Sequence, residues 1–455
     1  MTIRRLEVLV NNELVGILAE DNDLWQFGYA RQWRESARGF DLSPSLSRAT
    51  QHHADGASNR PVQWYFDNLL PEEALRATLA KDAGLSAEDG FGLLAYFGAE
   101  SAGSLVLRDA GDPDDAAPAM AKEGVRPLSH QDLNARILNL ANAPLTKGAP
   151  KRMSLAGAQH KMLVILDNEQ LYEPLPATPS THILKPNHQG GDYPASVMNE
   201  YFTMRLAKAV GLDVPHVHRY YVPQPVYLID RFDRILPHIS GAALAQHAGE
   251  VRRRHVIDTC QLLNKARTFK YSAAHLGTLA EALQCCRTKT AARLQLFRWL
   301  TFNVLVGNGD NHLKNISFLV DHGGINLAPA YDMLCTAVYD TRAMAGAGAR
   351  WPNVELAFSL GDAKIFGAVK RHHLFDAATA LGLAPRTAMR ELDTMLAAMP
   401  READQLIGAI EAGQDEVLAQ CAEPALARHH FAGEMRLLRA ARTIVIAEMC
   451  AQLAD

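Results

Sequence analysis

The sequence predicts an α+β protein in three parts: a small α+β domain over residues 1–108, a mixed α/β region over 129–232, and a mainly helical region over 233–455. Three observations predict it. Alternating apolar runs pair up near the N-terminus, a stretch at 109–128 carries almost no large apolar side chain, and helical periodicity takes over from about residue 254. The length agrees, since 455 residues at roughly 150 per domain give about three folding units.

The elements follow in chain order. Leu6-Glu-Val-Leu-Val10 and Leu14-Val-Gly-Ile-Leu18 flank Asn11-Asn12-Glu13, which predicts a hairpin. Helices are expected around 61–79 and 91–96. The stretch 109–128 is rich in Asp, Ala, Pro and Gly, with Met120 and Val125 as its large apolar residues up to Pro127. Burial cannot repay the ordering entropy of such a segment, so it reads as a linker. Ser129-His-Gln-Asp132 is an N-cap signal. Strands are predicted at 161–166, 182–185 and 220–229, with a helix at 199–210 that Gly211 stops. Leu294, Phe297, Leu300, Val304 and Leu305 recur at helical spacing and end at Gly307. A hairpin, 316–320 and 325–328, follows around Asp321-His-Gly-Gly324.

Composition removes several function classes. Forty-six basic against 50 acidic side chains give a net charge of −4, which excludes a wholly basic nucleic-acid coat. No apolar run of about 18 residues is present for a membrane span. The segment from Met1 has no signal-peptide core, so a cytoplasmic location is expected. The six cysteines are scattered without a CxxC pair and read as reduced thiols. Paired histidines such as His52-His53 are adjacent rather than one turn apart, and no HExxH occurs, so zinc chemistry is not indicated.

The chemistry concentrates in Asn308-Gly-Asp310-Asn-His312-Leu-Lys314-Asn315. Antiparallel strands bring their outer ends together, so Asn315 before the first strand should lie beside Tyr331-Asp332 just past the second. Asp310 projects from the adjoining loop. Two carboxylates and an amide oxygen suit Mg²⁺, a hard cation that keeps water and phosphate oxygens. Protein kinases use the same parts, a catalytic-loop Asp, an Asn five residues on, and a metal-binding Asp beyond a hairpin. A solvated turn rich in Asn, Asp and Gly is the plainer alternative. A kinase also needs a cation on the nucleotide phosphates, and Lys185 ends an apolar strand where it can serve as one. Glu200, in the next helix, could pair with it. The stretch from Arg152 through Ser154, Ala156 and Gly157 to Lys161 has small residues before a strand, where backbone amides can approach phosphate. It is not a GxxxxGK[ST] loop.

Ser154-Leu-Ala-Gly-Ala-Gln-His-Lys161, Thr181-His-Ile-Leu-Lys185-Pro, Asn199-Glu-Tyr-Phe, Arg231-Phe-Asp-Arg234, Gly307-Asn-Gly-Asp-Asn-His-Leu-Lys-Asn315 and Pro329-Ala-Tyr-Asp332 closely resemble the HipA family. These are bacterial serine/threonine kinases that act as toxins of toxin–antitoxin modules. Phe66-Asp-Asn-Leu-Leu-Pro71-Glu resembles the family's N-terminal subdomain, so the likeness spans nearly the whole chain. It implies a bilobal protein-kinase-like fold with an added N-terminal subdomain, a kinase N-lobe over 129–232 and a helical C-lobe over 233–455. Asp310 would be the catalytic base, Asn315 and Asp332 would hold Mg²⁺, and Lys185 would contact the ATP phosphates. The stretch ending near Arg231 and Phe232 would receive adenine, mostly through backbone groups. Ala156 and Gly157 would line the phosphate loop, and Ser154 would be an autophosphorylated serine whose modification silences the kinase. His312 and Lys314 match the motif's remaining positions, with His312 orienting the loop.

The resemblance further implies a HipB-like helix-turn-helix antitoxin, operator DNA reached through that complex, and an aminoacyl-tRNA synthetase substrate, most often glutamyl-tRNA synthetase. Persistence and growth arrest would be the consequence. Arg252-Arg-Arg-His255 and Lys370-Arg-His-His373 are basic clusters that could meet phosphate there, or simply solvated faces. The segments 258–261, 269–271 and 98–103 match the family loosely and are expected on surfaces where partners dock. A small-molecule or lipid kinase, and a catalytically silent corepressor subunit, remain alternatives.

Overall fold

A computed structural model describes residues 3–110, 123–153, 156–157, 159–238 and 243–454. The chain divides into two compact units. The first takes in the described residues of Met1–Lys185 with Asp230–Phe269 and Phe318–Ile325, and the second takes in Pro186–Ile229, Lys270–Ser317 and Asn326–Asp455.

In the first unit, Arg4–Val10 and Glu13–Asp21 form the expected hairpin. Asn11 and Asn12 turn it with φ of 47° and 69°, a conformation that asparagine tolerates and that matches strand twist. Leu24–Tyr29, His52–Ala54 and Leu105–Asp109 complete a five-stranded antiparallel sheet. Its inward residues meet helical ones ring to ring: Phe27 lies 5.7 Å from Phe66, and Trp25 lies 5.3 Å from Phe91. The helix expected over 61–79 is in fact two, Pro61–Asp67 and Glu73–Ala83. Pro71 between them has no N–H to continue the ladder.

A second sheet carries Met162–Asp167 between Gln170–Pro174 and His182–Pro186. Val125–Pro127 adds an edge strand on Gln170–Pro174, so the C-terminal end of the expected linker is paired. Edge pairing is made by backbone groups and needs no apolar run. Residues 111–122, the rest of that linker, lie outside the described residues. Ser129 caps His130–Leu138 by accepting from the Asp132 N–H.

A buried ionic network ties the first unit together. The Glu100 side chain is fully buried and meets Lys151 Nζ, Arg231 Nη1 at 3.2 Å, Arg234 Nη2 at 2.6 Å and Arg253 Nη2 at 2.9 Å. Asp233 pairs with Arg231 at 2.6 Å and Arg234 at 3.0 Å, and accepts from the Gly103 N–H at 2.8 Å. Gly103 has φ of 75°, and a Cβ there would sit 2.9 Å from the Val256 carbonyl oxygen. The segment 98–103 is therefore a keystone and not a docking surface. Asp258, Thr259, Cys260 and Gln261 are likewise buried, with Asp258 and Gln261 closing a capping box.

The second unit is mainly helical. Ser196–Ala209 ends before Gly211 at φ 89°, as the sequence indicates. The strand expected at 220–229 is a hairpin, Val217–Tyr221 and Pro225–Asp230, because Pro223-Gln224 turns the chain. Lys289–Leu305 is buried on almost every side of its C-terminal half. A further hairpin, Glu355–Leu360 and Ala363–Ile365, interrupts the helices around Gly361 at φ 61° and was not anticipated. Among the described residues no helix is long and apolar enough to cross a membrane.

Candidate active site

The helix Lys289–Leu305 runs into the loop that carries Asp310, and a relay of amides fixes the join. Asn303 Nδ2 donates to the Trp299 carbonyl at 2.8 Å, and Asn308 Nδ2 donates to Asn303 Oδ1 at 2.7 Å. Asn308 Oδ1 in turn accepts from the Asp310 N–H at 3.1 Å. Gly307 makes the turn at φ 64°, and a Cβ there would lie 2.7 Å from Val445 Cγ1 and 2.8 Å from Ala337 Cβ. Gly307→Ala should therefore cost about 1–3 kcal/mol through overpacking and left-handed strain. Thermal melting of the variant, with wild-type-like stability as the contrary result, checks it.

Beyond Asp310 the chain closes on itself. Asn315 Nδ2 donates to the Asp310 carbonyl at 2.9 Å, and the His312 and Asn315 N–H groups bond within the loop. This commits the nitrogen half of the Asn315 amide to the loop, and the other half is an oxygen, the kind of donor that could hold a hard cation. Tyr331, the neighbour of Asp332, returns to the start of the hairpin: its hydroxyl donates to the Lys314 carbonyl at 2.9 Å and bonds Ser317 Oγ at 2.6 Å. Asp332 itself has φ of 57°. Past it, Asn199 from the helix Ser196–Ala209 grips Cys335, accepting its N–H at 2.8 Å and donating to its carbonyl at 3.0 Å. Thr336 Oγ1 accepts from the Gly309 N–H at 2.7 Å, which returns this segment to the Asp310 loop.

Asp310 lies at an exposed edge, yet neighbouring protein strips enough water from its carboxyl to raise the pKa. His312 and the Tyr271 hydroxyl oppose that rise, Asp332 adds to it by repulsion, and Lys270 opposes it. Repulsion between Asp310 and Asp332 is what a bound cation would relieve, so the oxygen donors here fit Mg²⁺. His312 and Lys314 are buried. The His312 ring meets Tyr271 edge-on at 5.0 Å.

The remaining expected residues belong to the first unit. Lys185, only 5% exposed, ends the strand His182–Pro186. Gly157 has φ of 111°, and a Cβ would meet Lys161 Nζ at 2.7 Å, so the absence of a side chain lets that ammonium reach the Ala156 carbonyl at 2.7 Å. Arg152 stacks over Tyr96 at 3.9 Å, and the Gly157 carbonyl accepts from the Glu72 N–H at 3.3 Å. Ser154 lies outside the described residues. The Arg231 guanidinium is committed to Glu100, Asp233, Ser180 and Ser101. Its N–H donates to the Thr181 carbonyl at 2.9 Å and its carbonyl accepts from Arg234 at 3.1 Å. The Arg231 guanidinium thus serves the fold, and Phe232 follows it in a turn. Sequence reasoning missed Asn303, Asn308 and Tyr271 as loop-organising residues. An asparagine inside the apolar run Phe302-Asn303-Val304 was the available signal for the first.

The Asp310 loop, tied by Tyr331 and Thr336 to the segment that follows the hairpin, sits on a mixed α/β framework. Residues 153–403 match the HipA-like C-terminal domain and residues 6–108 match the HipA N-terminal domain. The chain belongs to the HipA family. It is 34% identical over 349 residues to the Sinorhizobium fredii protein Y4mE, covering 74% of this chain and 79% of that one. It is 29% identical over 359 residues to the serine/threonine-protein kinase toxin HipA of Shewanella oneidensis, covering 74% and 76%. The fold matches the Shewanella oneidensis HipA structure, solved with HipB and operator DNA, at a TM-score of 0.69 and 24% identity, over 98% of this chain and 99% of that one.

Proposed function

We propose that this chain is an ATP- and Mg²⁺-dependent serine/threonine protein kinase and the toxin of a toxin–antitoxin module. The observation that supports the reading is the Tyr331 bridge to Lys314 and Ser317, which ties the residue before Asp332 to the end of the loop holding Asp310 and Asn315. Asp310 accepts the proton of the substrate hydroxyl as its oxygen bonds to the γ-phosphorus and the bond to ADP breaks. Asn315 and Asp332 would hold Mg²⁺, which would supply charge neutralisation when bound. Lys185 meets the ATP phosphates as a point charge, with Ala156 and Gly157 in the phosphate loop. His312 and Lys314 keep the catalytic loop in shape.

Family membership supports the finer points. The substrate is an aminoacyl-tRNA synthetase, glutamyl-tRNA synthetase first, in the cytoplasm, and the partner is a HipB-like antitoxin that brings the complex to operator DNA. Ser154 is the autophosphorylation site: a phosphoserine of about −1.5 to −2 charges is repelled from a loop that serves nucleotide phosphates. The test is transfer of labelled phosphate from ATP to purified glutamyl-tRNA synthetase. Ser154→Ala should keep that transfer and lose the chain's own phosphate. Label on the synthetase with no label ever on Ser154 would remove the self-silencing step, and no label on any synthetase would remove the substrate assignment.

A further inference from the structure

Tyr271 is 46% exposed, an apolar ring with a polar tip. Its place is set by the Asp310 loop. The Tyr271 hydroxyl donates to Asp310 Oδ1. Its ring stands edge-on to His312, the Lys270 ammonium lies 5.1 Å from the ring centroid, and the Lys270 carbonyl accepts from the Leu313 N–H at 3.2 Å. Lys270 and Tyr271 therefore hold the loop by backbone, ring and hydroxyl at once.

A free carboxylate rotates about its last torsion and offers either oxygen. With Oδ1 bound to a phenol, which is a donor at neutral pH, Oδ2 becomes the oxygen offered to an incoming hydroxyl. We infer that Tyr271 is a positioning residue for phosphoryl transfer: its hydroxyl fixes one oxygen of Asp310 so that the other meets the acceptor. In the step itself the acceptor O–H proton passes to Asp310 Oδ2, the acceptor oxygen bonds to the γ-phosphorus, and the P–O bond to ADP breaks. This inference rests on the kinase reading above.

The test uses the full chain with Mg²⁺ and ATP, and dephosphorylated casein as a generic acceptor, reading ADP release together with phosphate on casein and on the chain. Tyr271→Phe keeps the ring against His312 and removes only the hydroxyl. It should lower kcat roughly 10- to 100-fold, the scale of losing base orientation, with KM for ATP within about twofold and the melting temperature unchanged. Tyr271→Ala should fall at least as far. Wild-type kcat in Tyr271→Phe, or a change confined to KM, overturns the inference while the kinase reading stands. An inactive wild type overturns that reading and takes the inference with it.

Discussion

Asp310→Ala should abolish phosphoryl transfer, by about 10²–10⁴-fold or to background, in a protein that still folds. The two halves of this expectation have separate causes. The side chain is the only part of Asp310 assigned to the proton, so its removal takes away the base. The loop is held through Asp310's backbone: its N–H donates to Asn308 and its carbonyl accepts from Asn315. Neither bond needs the carboxylate. The Tyr271 hydroxyl loses its partner but, being at an exposed site, can bond water at little cost. Activity near wild type would remove Asp310 from its role. Loss of cooperative melting would show that the side chain also shapes the loop.

Glu100→Gln should destabilise the first unit by about 3–5 kcal/mol, the cost of breaking a buried ionic cluster by removing one partner. Four cations, Lys151, Arg231, Arg234 and Arg253, share two carboxylates, Glu100 and Asp233. A neutral amide at position 100 leaves four positive charges against one negative in the protein interior. For a unit of this size the melting temperature should drop by very roughly 6–20 °C. The pH dependence carries a sign. Burial pushes the Glu100 carboxyl up, but Lys151 first and then the three arginines hold it well below the usual carboxylate range. A carboxyl depressed in the folded state contributes stability above its unfolded pKa of about 4.3 and loses it as pH falls further. Wild-type melting should therefore decline below that pH, and Glu100→Gln should decline less. Burial also pushes Lys151 down to about 8, so it still carries its charge at neutral pH. Equal melting of the two proteins would show the network to be energetically idle.

Periodicity and punctuation made much of the fold legible. Asn11-Asn12, Ser129, Gly211 and Gly307 stand at the boundaries they announce, because each local signal depends only on its own backbone conformation. The misses depended on distant partners. Pro71 and Pro223 each divided an element read as one, and the strand Val125–Pro127 exists because an edge was available to pair with. In the site, the return of the Tyr331 segment to the Asp310 loop is legible from spacing across a hairpin. That Tyr331, Asn199 and Thr336 make the ties is not, since a tyrosine or asparagine read alone does not say which carbonyl it will reach. At Arg231 the motif position implies a stretch that receives adenine mostly through backbone groups, and what the motif does not announce is that the guanidinium is committed to Glu100 and Asp233 inside the unit. Segment 98–103 is expected on a surface because it matches the family only loosely, yet Glu100 within it is fully buried. Four cations far apart in sequence are what make that glutamate buriable.

The central claim is that this chain transfers the γ-phosphate of ATP through Asp310. Intact-mass analysis of the purified, initially unphosphorylated chain after incubation with Mg²⁺ and ATP, beside Asp310→Ala, tests it most directly. The wild type should gain one phosphate, mapped by peptide analysis to Ser154, and the variant none. Phosphate gained equally by both proteins, or by neither, would contradict it.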